Sequence, residues 1–202
     1  MKELMEDYVG VKFETLRLGV EIQPDLKDLF HQFVRNGQRL RRFGMTPKNG
    51  GNMSVRAADG LVITTSGANL GSIEETEIAH VQRCSVEDGV VAYVGSSLPS
   101  SETFLHFLVY RSRPEAGAIV HAHDPATSAL EDHHVKETAR EEPYGTLELA
   151  RMACETFSKE EHIIVLKNHG YVAIGDSLTQ AVDRIIDVHM RLIQGAVRNR
   201  GE

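Results

Sequence analysis

The sequence predicts an α/β protein in three layers, α/β/α, with a central mixed, largely antiparallel sheet. Three observations carry this. Short β-type runs are paired around Asp59-Gly60 and Asp88-Gly89, dipeptides suited to hairpin turns. Longer stretches with apolar residues at helical spacing lie before, between and after those runs. Helical and β-type segments alternate along the second half of the chain, which is satisfied most simply by helices on both faces of one sheet.

Residues 1–23 alternate only in part (Val9, Val11 and Phe13, then Leu16, Leu18, Val20 and Ile22) and read as an extended N-terminal extension to a domain of residues 24–202. Pro24-Asp25 suits a helix start, Leu26, Leu29, Phe30, Phe33 and Val34 mark its apolar face, and Gly44 stops it. Strands follow at 53–57, 61–65, 78–85 and 90–94. Pro99-Ser100-Ser101-Glu102 then opens a helix whose apolar face holds Phe104, Leu105, Leu108 and Val109 and which Pro114 ends. A strand at 118–123, helices at 127–139 and 147–157, and strands at 163–167 and 171–174 complete the pattern. Asp176 or Ser177 caps a last helix carrying Leu178, Val182, Ile185, Ile186 and Val188.

Composition narrows the function. The chain has 202 residues, 41% hydrophobic and 25% charged, with no apolar run near the ~18 residues that cross a bilayer. Its start, Met-Lys-Glu-Leu-Met-Glu-Asp, lacks a signal-peptide core, so a cytoplasmic location is expected. Cys84 and Cys154 belong to no Cys-x-x-Cys pair and read as reduced thiols. A net charge of −7, with Arg39-Leu40-Arg41-Arg42 as the longest basic cluster, argues against nucleic acid as a partner.

The chemistry concentrates on histidine. In Ile119-Val120-His121-Ala122-His123, strand alternation places His121 and His123 on the same side, where two imidazoles can grip one ion. Val165-Leu166-Lys167-Asn168-His169-Gly170 reads as a second histidine-bearing strand that supplies a third. Three neutral imidazoles leave zinc an open fourth position, the arrangement of a catalytic site. Around them stand four turns marked by glycine or serine: Gly50-Gly51-Asn52-Met53-Ser54, Thr64-Thr65-Ser66-Gly67, Pro99-Ser100-Ser101-Glu102 and Asn168-His169-Gly170. Turns of this kind present backbone N–H groups and small hydroxyls, and a helix start adds its dipole, so they suit a phosphate without needing an arginine. Each of these residues also has a plainer reading: glycine and serine close turns for steric reasons, and an acidic residue in a first helical turn is favoured by the dipole. His31, His80, His106, His162 and His189 read as structural or solvated, with His106 one helical turn beyond Glu102.

Taken together and in this order, Gly-Asn-x-Ser at 51–54, Ile-Thr-x-Ser-Gly at 63–67, Pro-Ser-Ser-Glu at 99–102, His-x-His at 121–123 and His-Gly at 169–170 resemble the class II aldolase/adducin head family across residues 24–198. The resemblance implies that His121, His123 and His169 hold zinc or another divalent transition metal. It also implies that Asn52, Ser66, Gly67, Ser100 and Ser101 surround a substrate phosphate and that Glu102 is the acid/base. The implied activity is that of a metal-dependent lyase acting on a C–C bond of a small phosphorylated ketose through a metal-stabilised enediolate. Dehydration or epimerisation of a sugar phosphate on the same scaffold is open, as is a non-catalytic, adducin-like interaction module. A homotetramer of cyclic symmetry, with no membrane or nucleic-acid partner, is expected. One departure stands out: about twenty residues separate His123 from Glu142-Pro143-Tyr144-Gly145, where the family implies a longer stretch with a tyrosine or acidic residue for the second proton, and the short segment offers His133 or His134 as a substitute donor.

Overall fold

The computed structural model describes residues 11–22, 24–126 and 134–199. In chain order the elements are β1 (Glu14–Gly19), α1 (Pro24–Arg42), β2 (Asn52–Ala57), β3 (Gly60–Thr64), β4 (Ile78–Ser85), β5 (Val90–Val94), α2 (Thr103–Ser112), β6 (Ala118–Ala122), β7 (Lys136–Glu137), α3 (Leu147–Thr156), β8 (Ile163–Leu166), β9 (Gly170–Gly175) and α4 (Leu178–Asn199). The strands form one nine-stranded sheet in the order β1-β5-β4-β3-β2-β6-β9-β8-β7. Its two outermost pairs, β1 with β5 and β7 with β8, are parallel, and the pairs between them are antiparallel. The sheet is therefore mixed and largely antiparallel, and the fold is α/β.

Strand alternation sorts the core into two layers. Leu61 and Ile63 of β3, Ile119 of β6 and Val172 and Ile174 of β9 face a core built with α2 and α3. Their neighbours Val62, Ala118, Val120 and Ala173 face a core built with α1 and α4. In α4, Leu178, Ala181, Val182, Ile185 and Val188 are buried at helical spacing, and Ser177 Oγ accepts from Gln180 N–H to cap its start. Helix α1 ends at Arg42, and Gly44 closes the turn that follows, as expected. Gly44 lies at φ +73°, where a Cβ would be strained, Met45 N–H donates to Leu40 C=O and Gly44 N–H to Arg41 C=O. Leu40 and Met45 are both fully buried, so the turn that stops the helix also seats a core contact.

Two expectations are corrected. The helix expected at 127–139 is not present in its described part: Lys136 and Glu137 form β7 and run parallel to Ile164 and Val165. Thr138 N–H donates to Val165 C=O and its hydroxyl accepts from Lys167 N–H, so the free edge of β8 recruits residues that local propensity would leave helical. Residues 127–133 of that expectation, His133 among them, lie outside the described residues. Of the segment 165–170, expected as a histidine-bearing strand, Lys167 to His169 are not strand, and His169 stands in the β8–β9 turn that Asn168-His169-Gly170 also marks in the sequence, beside Asn168 at φ +56°. Residues 14–19, assigned to the extension, pair with β5 at the sheet edge. No helix among the described residues is long and apolar enough to cross a membrane.

Candidate active site

Three neighbouring strands build the floor of the site. Asn52 opens β2 opposite His121 of β6, and His121 lies opposite Val172 of β9. His123 follows β6 directly, its N–H donating to Met45 C=O, and His169 comes in from the β8–β9 turn. The ring centroids of His121, His123 and His169 lie 4.8 to 4.9 Å apart, and one nitrogen from each falls within 4.8 Å of the others. Gly170 makes the room: a Cβ there would sit 2.5 Å from Ala122 O and within 3.2 Å of the rings of His121 and His123.

Charge and tautomer are fixed by the surroundings. Burial, then the neighbouring His169, lowers His121 from its ordinary value to about 3; burial, then His121 and His169, lowers His123 to about 3. Both rings are neutral near neutral pH. His121 Nδ1 lies 2.9 Å from Tyr171 C=O, which only accepts, so Nδ1 carries the proton and Nε2 is a bare lone pair. That lone pair faces His123 Nε2 at 2.9 Å. Three nitrogens bound to one zinc at 2.0–2.1 Å lie about 3.3 Å apart, so the set fits a divalent ion with small ring movements.

Glu102 supplies the carboxylate. It is the N-cap residue of α2, but its side chain makes no capping hydrogen bond. Its Oε2 accepts from Asn52 Nδ2–H at 2.7 Å and lies 3.4 Å from His121 Nε2. The residue is only 4% exposed, and Oε1 is buried with no hydrogen-bond partner among the described residues. An orphaned carboxylate oxygen is costly in a low-dielectric interior, and a cation at the imidazole set would offset that cost.

The glycine and serine turns line a cleft of about 560 Å³ with these groups. Asn52, Ser66, Gly67, Ser100, Ser101, Glu102, His123 and His169 all border it, while His121 is fully buried behind them. Backbone bonds from Ser66 N–H to Leu98 C=O and from Ser100 N–H to Thr64 C=O zip the two serine turns side by side. Those two N–H groups are therefore spent, contrary to the expectation of a wholly free set. Gly67 and Ser101 keep N–H groups without a partner among the described residues.

Further residues enter that the sequence reading did not assign. Lys48 and Tyr144 line the same cleft, so the cradle expected to be neutral has a cation on its border. His134 is exposed and is not among the cleft's lining. Behind Glu102, His106 is fully buried with Nε2 2.5 Å from Asn52 Oδ1 and Nδ1 2.7 Å from Ser54 Oγ. Its signal lay in the sequence as polar residues at strand spacing (Asn52, Ser54) opposite polar residues at helical spacing (Glu102, His106, Tyr110).

Comparison with known proteins agrees with this geometry. An L-fuculose phosphate aldolase of Methanocaldococcus jannaschii is 30% identical over 167 residues, covering 76% of this chain and 88% of the relative. A methylthioribulose-1-phosphate dehydratase of Gluconacetobacter diazotrophicus is 38% identical over 98 residues, 48% of this chain and 45% of the relative. A solved L-fuculose 1-phosphate aldolase superposes with a TM-score of 0.70 at 28% identity, covering 90% of each chain. The family model for the class II aldolase and adducin N-terminal domain matches residues 31–192, and the chain belongs to that family.

Proposed function

We propose that this enzyme is a metal-dependent lyase of the aldolase type that cleaves or forms a C–C bond in a small phosphorylated ketose. The observation that carries the reading is the converging three-imidazole set beside a buried carboxylate with one unpartnered oxygen, at the edge of a cleft lined by hydroxyl and glycine turns. In this reading His121, His123 and His169 hold zinc or another divalent transition metal, which when bound supplies a Lewis acid for charge developing on the substrate's carbonyl oxygen.

The chain's own groups handle binding and protons. Ser66, Gly67, Ser100, Ser101 and Asn52 receive the phosphate, with Lys48 adding a positive charge at the border of the cleft. In cleavage a base takes the proton of the hydroxyl β to the carbonyl, the C–C pair moves toward the carbonyl, and an acid returns a proton to the carbon left behind. Glu102, through Oε1, carries the proton to the carbon left behind. Tyr144 takes the second proton transfer in place of His133 or His134, an assignment that full turnover in Tyr144→Phe would remove. The same reading carries a cytoplasmic location, where phosphorylated sugars are handled, and a cyclic homotetramer, which sedimentation equilibrium tests.

A panel of ketose 1-phosphates given to the zinc-loaded enzyme decides the reaction. Release of dihydroxyacetone phosphate and an aldehyde supports the aldolase. Loss of water without C–C cleavage selects the second reading, a sugar-phosphate dehydratase, which the similarity to a methylthioribulose-1-phosphate dehydratase favours. Neither zinc binding nor turnover would return the chain to a non-catalytic, adducin-like module.

A further inference from the structure

We propose that His106 is a positioning residue that locks the Asn52 carboxamide with its N–H on Glu102, so that Asn52 serves the acid/base group and is not a phosphate ligand alone. The inference rests on reading Glu102 as the proton carrier. Its basis is a buried chain of hydrogen bonds in which helical and strand spacing mesh: Glu102, His106 and Tyr110 lie four residues apart on and before α2, and Asn52 and Ser54 lie two apart on β2.

Each proton in the chain has one place to go. An ionised Glu102 carboxylate only accepts, so Asn52 must turn Nδ2–H toward Oε2, 2.7 Å away. Asn52 Oδ1 then faces His106 Nε2 at 2.5 Å, and since a carbonyl oxygen only accepts, Nε2 carries the ring proton. His106 Nδ1 is left with a lone pair, which accepts from Ser54 Oγ–H at 2.7 Å, and Ser54 Oγ accepts from Tyr110 O–H at 2.9 Å. Asn52, Ser54, His106 and Tyr110 are all buried, so no water competes for these contacts.

An amide has two ends of nearly equal shape, and only its neighbours tell them apart. Flipping Asn52 would set its C=O against the Glu102 carboxylate and its NH₂ against the His106 N–H, two repulsive contacts at once in a low-dielectric interior. Without His106 one of those penalties is gone and the amide is held only by the carboxylate it is meant to hold. His106 therefore fixes Oε2 beside His121 and leaves Oε1, which has no hydrogen-bond partner among the described residues, for the proton transfer. Glu102 uses one of the two N–H bonds on Asn52 Nδ2, and Asn52 itself borders the cleft.

The first test uses wild-type, zinc-loaded protein: ¹⁵N NMR of the His106 ring, assigned with His106→Gln. A protonated Nε2 with a bare Nδ1 is expected, and a protonated Nδ1 would overturn the proposal. The second compares His106→Gln, whose amide nitrogen reaches the position of Nε2, with His106→Phe, which keeps ring volume and donates nothing. His106→Phe is expected to lower kcat by about 30-fold with KM within about threefold and zinc content unchanged, and His106→Gln to recover kcat to within about fivefold of wild type. Equal loss in both variants, or a loss confined to KM, would overturn it. Because the ring measurement needs no substrate, a protonated Nε2 in a protein without aldol turnover would uphold the positioning and count against the reaction alone.

Discussion

The histidines behind and in front of Glu102 differ in what their ring nitrogens meet, even where burial is the same, as it is for the fully buried His106 and His121. Burial is the first cause that lowers His106, His121 and His123 alike to about 3, so charge state does not tell them apart. Behind Glu102, both nitrogens of His106 have a hydrogen-bond partner of another kind, Asn52 on one side and Ser54 on the other. In front, the bare Nε2 of His121 faces the Nε2 of His123 at 2.9 Å, and the ring of His169 closes the triangle. Such a pair shares one proton or one cation. The difference teaches that a buried histidine is identified by the partner of its second nitrogen: a satisfied ring holds its neighbours in place, and a converging set waits for an ion.

The largest expected effect lies on the converging side. His121→Ala is expected to lower kcat/KM by about 10⁴-fold, since it removes the most deeply buried imidazole and with it the Lewis acid. An aldolase assay that finds turnover within tenfold of wild type would break the comparison. Glu102→Gln comes next, with a loss of about 10³-fold in kcat and zinc content unchanged, because the amide is isosteric but carries no exchangeable carboxyl proton. Loss of zinc together with activity would instead make Glu102 a ligand.

Ser101→Ala sharpens the comparison by leaving both histidine regions intact. KM for a phosphorylated ketose is expected to rise about tenfold, with kcat nearly constant and no change for an unphosphorylated analogue. Equal effects on both substrates would place Ser101 outside phosphate recognition. A separate effect, on stability and not on turnover, is expected in chelator-treated protein. The folded values near 3 lie below the ~6.5 of an unfolded histidine, so the unfolded chain binds more protons between those limits. Stability therefore falls as pH drops from about 6.5 toward 3, by up to about 1.4 kcal/mol per pH unit for each ring. A thermal midpoint unchanged between pH 7 and pH 5 would contradict this, and His106→Gln should flatten the slope.

Local chemistry made part of this legible in the sequence. The glycine at 44 that stops α1, the hairpins around residues 59 and 89, and the alternation that puts His121 and His123 on one side all depend on neighbours within a few residues. What escaped depends on partners distant along the chain. β7 exists because the edge of β8 offers backbone groups to pair, and nothing within residues 127–139 announces that edge. Lys48 reaches the cleft through a loop whose path is set by the Leu40 and Met45 contact at the end of α1. Asn52 reads as a turn residue near a phosphate, and its hold on Glu102 becomes visible only when β2 and α2 are laid together with His106 between them. His169 was legible both as a ligand type and, through its neighbours Asn168 and Gly170, as part of a turn; what local sequence left open was where the strand before it stops.

The central claim is that the three imidazoles in front of Glu102 hold a metal and that the imidazole behind it does not. Elemental analysis of wild-type protein beside His121→Ala and His106→Gln, each loaded with zinc and dialysed against a weak chelator, tests it directly. About one zinc per chain is expected in wild type and in His106→Gln, and none in His121→Ala. No zinc in wild type, or zinc retained by His121→Ala, would contradict the account.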